Sequence, residues 1–192
     1  MNAGYVVLPG ERPTLPDDQW YATTSEQVCG GGNRHRHQFR CEATRKRMLA
    51  GMRARMQHHG VLGDRECRQP YVLRTTDAAA PAAAVQSPHW DFLEPTMQPY
   101  RDDTHRIPLS CQWAVTQAYE LRVYRWECHC TCSDGVPGWG WSCTIVHVPG
   151  GHMAVWRGDT SHGGGSHLSS EPRVHCFAVP PDFPAIADAF SA

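Results

Sequence analysis

A mainly β fold, a barrel or jelly roll preceded by a short strand and one basic helix, is what the sequence predicts, and three observations predict it. Past residue 70 the hydrophobic period shifts towards two, in seven short segments at 71–75, 85–92, 107–115, 119–127, 141–148, 152–157 and 173–179. Seventeen glycines and fifteen prolines supply the breaks between them. Before residue 70, a single stretch repeats its apolar residues at helical spacing. Many short strands after a helical lead-in are the mark of a barrel or jelly roll.

Each element has its own warrant. Residues 4–8, GYVVL, read as a first strand because aromatic and β-branched residues precede the Pro9-Gly10 turn. Residues 10–33 are expected to be mostly irregular. Between 42 and 59, Met48, Leu49, Met52 and Met56 recur on one helical face, Arg45, Lys46, Arg53 and Arg55 mostly point elsewhere, and Gly60 is the stop. That helix is expected to buttress the barrel with its Met/Leu stripe. Residues 77–84, DAAAPAAA, carry Pro81 at their centre and are expected to be a loop or insertion. The 192 residues fit one domain, 1–192, large enough to bury about 70% of the surface of its unfolded chain. Within it, 1–70 is the strand and basic helix, 71–180 the core and 181–192 a tail.

Composition narrows the function classes. The opening residues show no basic leader and only a four-residue apolar run before Pro9, so neither a signal peptide nor a membrane span is expected and the expected location is cytoplasmic. Nine cysteines without a secretory signal suggest reduced thiols. Net charge is −1, yet residues 34–68 hold ten Lys/Arg against three Asp/Glu. That segment could dock nucleic acid, although a solvated helix face is the favoured reading.

The chemistry-bearing residues lie further on. In SPHWDF, His89 and Asp91 are two apart on an expected strand, so both side chains leave the same face. A carboxylate turned into a barrel needs a partner, and a divalent cation is one. Third-ligand candidates fall in 151–165, where a strand ends at the Gly158-Asp159 turn and His162 opens the next. His152 and His167 are rivals, the first placed before the strand leading to the turn, the second too close to Arg173 for a turn and return. Two His and one carboxylate on one face of an octahedron leave three positions open, the arrangement that selects Fe(II) for oxygen chemistry; a structural zinc would add a fourth protein ligand. Arg173, eleven residues after His162, alternates with His175, Phe177 and Val179, and an arginine among apolar residues calls for an anion. Its planar fork suits the carboxylate of a small dicarboxylate reaching from the metal, which is the shape of 2-oxoglutarate.

With GYVVLPG, QSPHWDF at 86–92, RGDTSHGG at 157–164 and RVHCF at 173–177, the sequence resembles the 2-oxoglutarate/Fe(II) dioxygenases with a double-stranded β-helix core, the group that includes phytanoyl-CoA and prolyl hydroxylases. The likeness runs from residue 4 to about 180. It implies that His89, Asp91 and His162 are catalytic iron ligands and that Arg173 binds the far carboxylate of 2-oxoglutarate. It also implies release of succinate and CO2 as an unidentified substrate, whether a protein side chain, a nucleobase or a small metabolite, is hydroxylated or demethylated, with ascorbate as a candidate reductant. Related halogenases lack the carboxylate ligand, so Asp91 favours hydroxylation. Many prolyl hydroxylases carry Ser or Thr two residues after the arginine; here His175 stands there and is the candidate replacement in co-substrate binding. The alternative from another class is a non-catalytic jelly-roll module that binds metal and turns nothing over.

Other clusters read more blandly. His35, His37 and Glu42 imitate half of a cupin metal motif, but the second half is missing. Cys128, Cys130 and Cys132, with Cys143, could bind zinc as thiolates, yet the spacing is wrong for paired knuckles and small buried thiols pack acceptably. Trp139 and Trp141 could line a substrate mouth or fill the core.

Overall fold

The computed structural model describes residues 4–12, 25–27, 36–39, 42–75, 86, 88–129, 138–165 and 173–185. Ten strands, β1 (Tyr5–Leu8), β2 (Ser25–Gln27), β3 (Arg36–Phe39), β4 (Glu66–Thr75), β5 (Leu109–Ala114), β6 (Tyr119–His129), β7 (Gly138–Val148), β8 (Met153–Arg157), β9 (Ser161–Gly164) and β10 (Arg173–Val179), make up nearly half of them. Helix α1 (Glu42–His58) and the short α2 (Glu94–Met97) complete the elements, the latter running into a 3-10 turn at Gln98–Tyr100. All pairings are antiparallel. The larger sheet has the order β1-β8-β5-β10-β4-β3-β2 and the smaller the order β7-β6-β9, the two-sheet arrangement of a jelly roll.

The central strands of the larger sheet are buried on both faces, which explains their continuous burial. On β10, Val174, Cys176 and Ala178 pack with Met48, Met52 and Met56 of α1, together with Leu109, Cys111 and Trp113 of β5 and Met153 and Val155 of β8. The methionines recur every fourth residue, so one helical face covers the sheet, and each contributes about 1.5–3 kcal/mol by leaving water. Arg55 anchors the same contact: its guanidinium lies 4.5 Å from the Trp113 ring centre and donates to the Gly151 carbonyl at 2.6 Å. A row of thiols crosses this face, Cys176 directly opposite Cys111 and hydrogen-bonded to Cys67, with Cys111 Sγ 3.3 Å from Met56 Sδ.

The other face of the larger sheet meets the smaller one. Ala114, Ala154 and Trp156 pack there against Tyr119, Leu121, Val123, Val146 and Val148. One end is plugged by Phe92, Met97, Tyr100, Ile107, Phe177, Val179 and Phe183.

The structure departs from the sequence reading in three places. The described residues of 85–92 form no strand: a single antiparallel bridge joins His89 to His162, and the chain then bends at Asp91 and Phe92. Pro88 removes a ladder donor, and Phe92 is drawn into the aromatic plug, 5.2 Å from the Phe177 ring and 5.3 Å from that of Phe183. Strand β2 falls in 10–33, expected to be mostly irregular, and with β3, which was not expected either, extends the larger sheet. Strand β4 starts five residues before the expected 71 and absorbs Pro70 by a bulge: His175 opposes Tyr71 but Phe177 opposes Arg68, and Gln69 has φ of 48°. Residues 77–84, His35, Cys130, Cys132, His167 and the tail beyond 185 lie outside the described residues, as do the side chains of Cys128 and Trp139. Among the described residues no helix is long and apolar enough to cross a membrane.

Candidate metal centre

Three expected site residues converge between the sheets. Asp91 and His162 are buried while His89 is one-third exposed, and one ligand atom from each lies within 4.8 Å of the others. Asp91 Oδ2 is 3.3 Å from His162 Nε2, and Asp91 Oδ1 is 3.9 Å from His89 Nε2. His152, the rival that can be placed, is absent from this cluster, its Nδ1 sitting 3.5 Å from the Gly150 carbonyl. Cys143 is exposed and also stands apart.

Main chain, more than side chain, brings the ligands together. His89 N donates to the His162 carbonyl and His162 N to the His89 carbonyl, both at 2.9 Å, so the two imidazoles rise side by side with ring centres 4.5 Å apart. The Thr160 carbonyl lies 3.1 Å from His162 Nδ1, fixing that nitrogen as the protonated one and turning Nε2 towards Asp91. Trp156 backs the His162 ring at 4.8 Å. Gln86 stitches the segment to β9: its Oε1 accepts from Gly164 N at 3.1 Å and its Nε2 is 3.3 Å from His89 Nε2. A metal ligated through His89 Nε2 would displace that last contact. Neither Gln86 nor the Thr160 carbonyl was visible in the sequence, because both act through register.

The electrostatics fit a cation. Burial pushes the Asp91 carboxyl pKa up, but the imidazole of His162, then those of His175 and His89, outweigh it and hold the group below the ordinary carboxylate range. His162 moves the opposite way: burial lowers it, and the Asp91 carboxylate more than compensates. Even so, Asp91 Oδ2 forms no well-aligned hydrogen bond, its near neighbour being His162 Nε2 at 3.3 Å. An oxygen left this way in a dry site is costly unless a cation meets it. Two imidazole nitrogens and one carboxylate, with no fourth ligand in the cluster among the described residues, are the donor set of an open-sided site and not of a closed structural zinc.

Arg173 and His175 line the neighbouring space from β10. Arg173 is buried and its Nη1 has no hydrogen-bond partner; the guanidinium lies 5.3 Å from the ring centre of Tyr119, whose hydroxyl donates to the Gln112 carbonyl at 3.0 Å. Burial lowers the Arg173 pKa to about 10, so it stays charged at neutral pH. Tyr119 was not singled out by the sequence reading, since only the pairing of the two sheets places it there. His175 Nε2 is 4.0 Å from Asp91 Oδ2, and burial drives its pKa down to about 4, leaving a neutral imidazole.

The jelly roll is a fold also found among solved non-heme alpha ketoglutarate dependent enzymes. The chain is similar over 98% of its length to the epimerase SnoN from nogalamycin biosynthesis, at 16% identity, 83% coverage of that chain and a TM-score of 0.55. SnoN has also been solved in complex with Fe3+, alpha ketoglutarate and nogalamycin RO. The carbocyclase SnoK from the same biosynthesis is similar over 92% of this chain and 80% of its own, at 13% identity and a TM-score of 0.52. No protein-family model matches the chain, and no characterised protein matches it in sequence.

Proposed function

We propose that this protein is an Fe(II)- and 2-oxoglutarate-dependent oxygenase. The observation that carries the reading is the buried guanidinium of Arg173, whose Nη1 has no hydrogen-bond partner, beside the His89/Asp91/His162 cluster. Arg173 and His175 are two residues apart on one face of β10, a span of about 7 Å that a five-carbon dicarboxylate can bridge.

In this reading His89, Asp91 and His162 would hold iron as a three-ligand, open-sided donor set. Iron with 2-oxoglutarate supplies the oxidising chemistry that releases succinate and CO2 and leaves oxygen on the substrate. Arg173 binds the remote carboxylate through its fork, and Tyr119 holds the guanidinium in place. His175, neutral and next to Asp91, can donate a second hydrogen bond to the co-substrate. The aromatic plug keeps water from one side of the site. Hydroxylation or demethylation is the favoured outcome, because Asp91 occupies the ligand position that a halide would need.

The test is conversion of 2-oxoglutarate to succinate by the purified protein with Fe(II), which should proceed slowly even without substrate. Total absence of succinate, with iron bound, would instead favour a non-catalytic metal-binding module.

A further inference from the structure

Beyond the metal, the inner face of the smaller sheet changes character. Along β6 the inward residues are Tyr119, packed under Arg173, then Leu121, then Val123, which pairs with His162 of β9, then Arg125. The pairing with β7 continues without a register shift, so Arg125 sits opposite Ser142, and Thr144 sits opposite Val123. Leu121 and Val123 are buried, whereas Arg125 and Ser142 are half-buried and Thr144 is exposed, so the inner face opens towards solvent at this end. Arg125 therefore lies on the far side of the metal cluster from Arg173. None of Arg125, Ser142 or Thr144 makes a side-chain hydrogen bond or ion pair among the described residues.

We propose that Arg125, flanked by the hydroxyls of Ser142 and Thr144, is the recognition site for an anionic group, carboxylate or phosphate, on the substrate. This rests on the oxygenase reading and names its substrate class. A divalent metal, Asp91, Arg173 and a dicarboxylate balance in charge among themselves, which leaves Arg125 as the unmatched cation of the inner face among the described residues. A guanidinium fork beside two free hydroxyls is a donor set for an oxyanion. One inner-face step along β6 is about 7 Å and one strand spacing about 4.8 Å, so the substrate's anionic group would lie roughly 7–10 Å from the carbon presented to the metal.

The experiment titrates phenyl phosphate, 3-phenylpropionate and neutral benzyl alcohol into protein loaded with Mn(II) and 2-oxoglutarate, which occupies Arg173 without turnover. The expected result is saturable binding of at least one anionic probe and not of the alcohol, weakened at least tenfold by Arg125→Gln and less by Arg125→Lys, with 2-oxoglutarate affinity unchanged. Which probe binds distinguishes a phosphate substrate from a carboxylate one. Equal binding of the probe by Arg125→Gln and wild type, or no saturable binding of either anion, overturns the proposal. Failure of Mn(II) and 2-oxoglutarate to bind would count against the oxygenase reading alone, since the same titration on metal-free protein still decides the role of Arg125.

Discussion

At the scale of single residues, the Asp91–His162 pair sets the pH behaviour of the site. Because His162 is raised by the Asp91 carboxylate, the metal-free pair retains a proton to higher pH than an ordinary histidine would. A metal must displace that proton, so affinity should rise with pH and binding should release a proton at pH values below the raised His162 pKa. Calorimetry of Mn(II) binding in two buffers of different ionisation enthalpy measures this, and a heat independent of buffer would contradict it. Asp91→Ala should lose both metal and turnover, as elemental analysis of the purified variant would show. Arg173 tests the co-substrate separately. A charge-assisted hydrogen bond contributes about 1.5–3 kcal/mol, so Arg173→Ala should weaken 2-oxoglutarate by roughly tenfold to a few hundredfold while leaving iron in place. Arg173→Lys keeps the charge but not the fork and should fall between; the absorption band of anaerobic Fe(II) protein reports both.

At the scale of elements, the turn between β8 and β9 controls the segment that carries two ligands. A Cβ on Gly158 would come within 2.6 Å of Phe92 Cδ2 and 3.1 Å of the Pro108 carbonyl. Gly158→Ala should therefore push Phe92, and Asp91 beside it, out of place, lowering stability by about 1–3 kcal/mol and weakening metal binding together. Met52→Ala should behave differently: it opens a cavity under α1 worth about 2–5 kcal/mol, yet it lies on the face of the sheet away from the site, so Tm falls and metal affinity holds.

The elements also show what the sequence could and could not display. Strand β10 was legible to the residue at 173–179, because β-branched and aromatic residues alternate there between breaks. Strands β2 and β3 were not, since SEQ and RHQF carry no alternating pattern; β3 adds to the edge that β4 offers, and β2 to β3 in turn. Residues 85–92 mimicked a strand by composition, while Pro88 and the pull of the aromatic plug on Phe92 reduced it to one bridge. His89, Asp91 and His162 nonetheless meet, because backbone pairing with β9 does what strand alternation was expected to do. Tyr119, Gln86 and the Thr160 carbonyl stayed hidden, for each acts through a neighbour that only the sheet pairing supplies.

At the scale of the molecule, a metal and co-substrate that bind only the folded form should stabilise it by RT ln(1 + [L]/Kd), about 2.7 kcal/mol at a hundredfold excess over Kd. The thiol row beneath α1 offers a way to watch this. Cys111 and Cys176 are fully buried, so alkylating reagents meet no surface at either, and hydrogen bonding to Cys111, with burial, raises the Cys176 thiol well above its ordinary pKa. Cys143, exposed on β7, is open to the same reagent throughout. The chain thus carries its own clock and its own reference: Cys143 should label at once, and Cys111 and Cys176 only when α1 lifts from the sheet. With Mn(II) and 2-oxoglutarate present, the slow labelling should slow further by the factor that mass action predicts, reporting occupancy of the metal centre from the opposite side of the sheet.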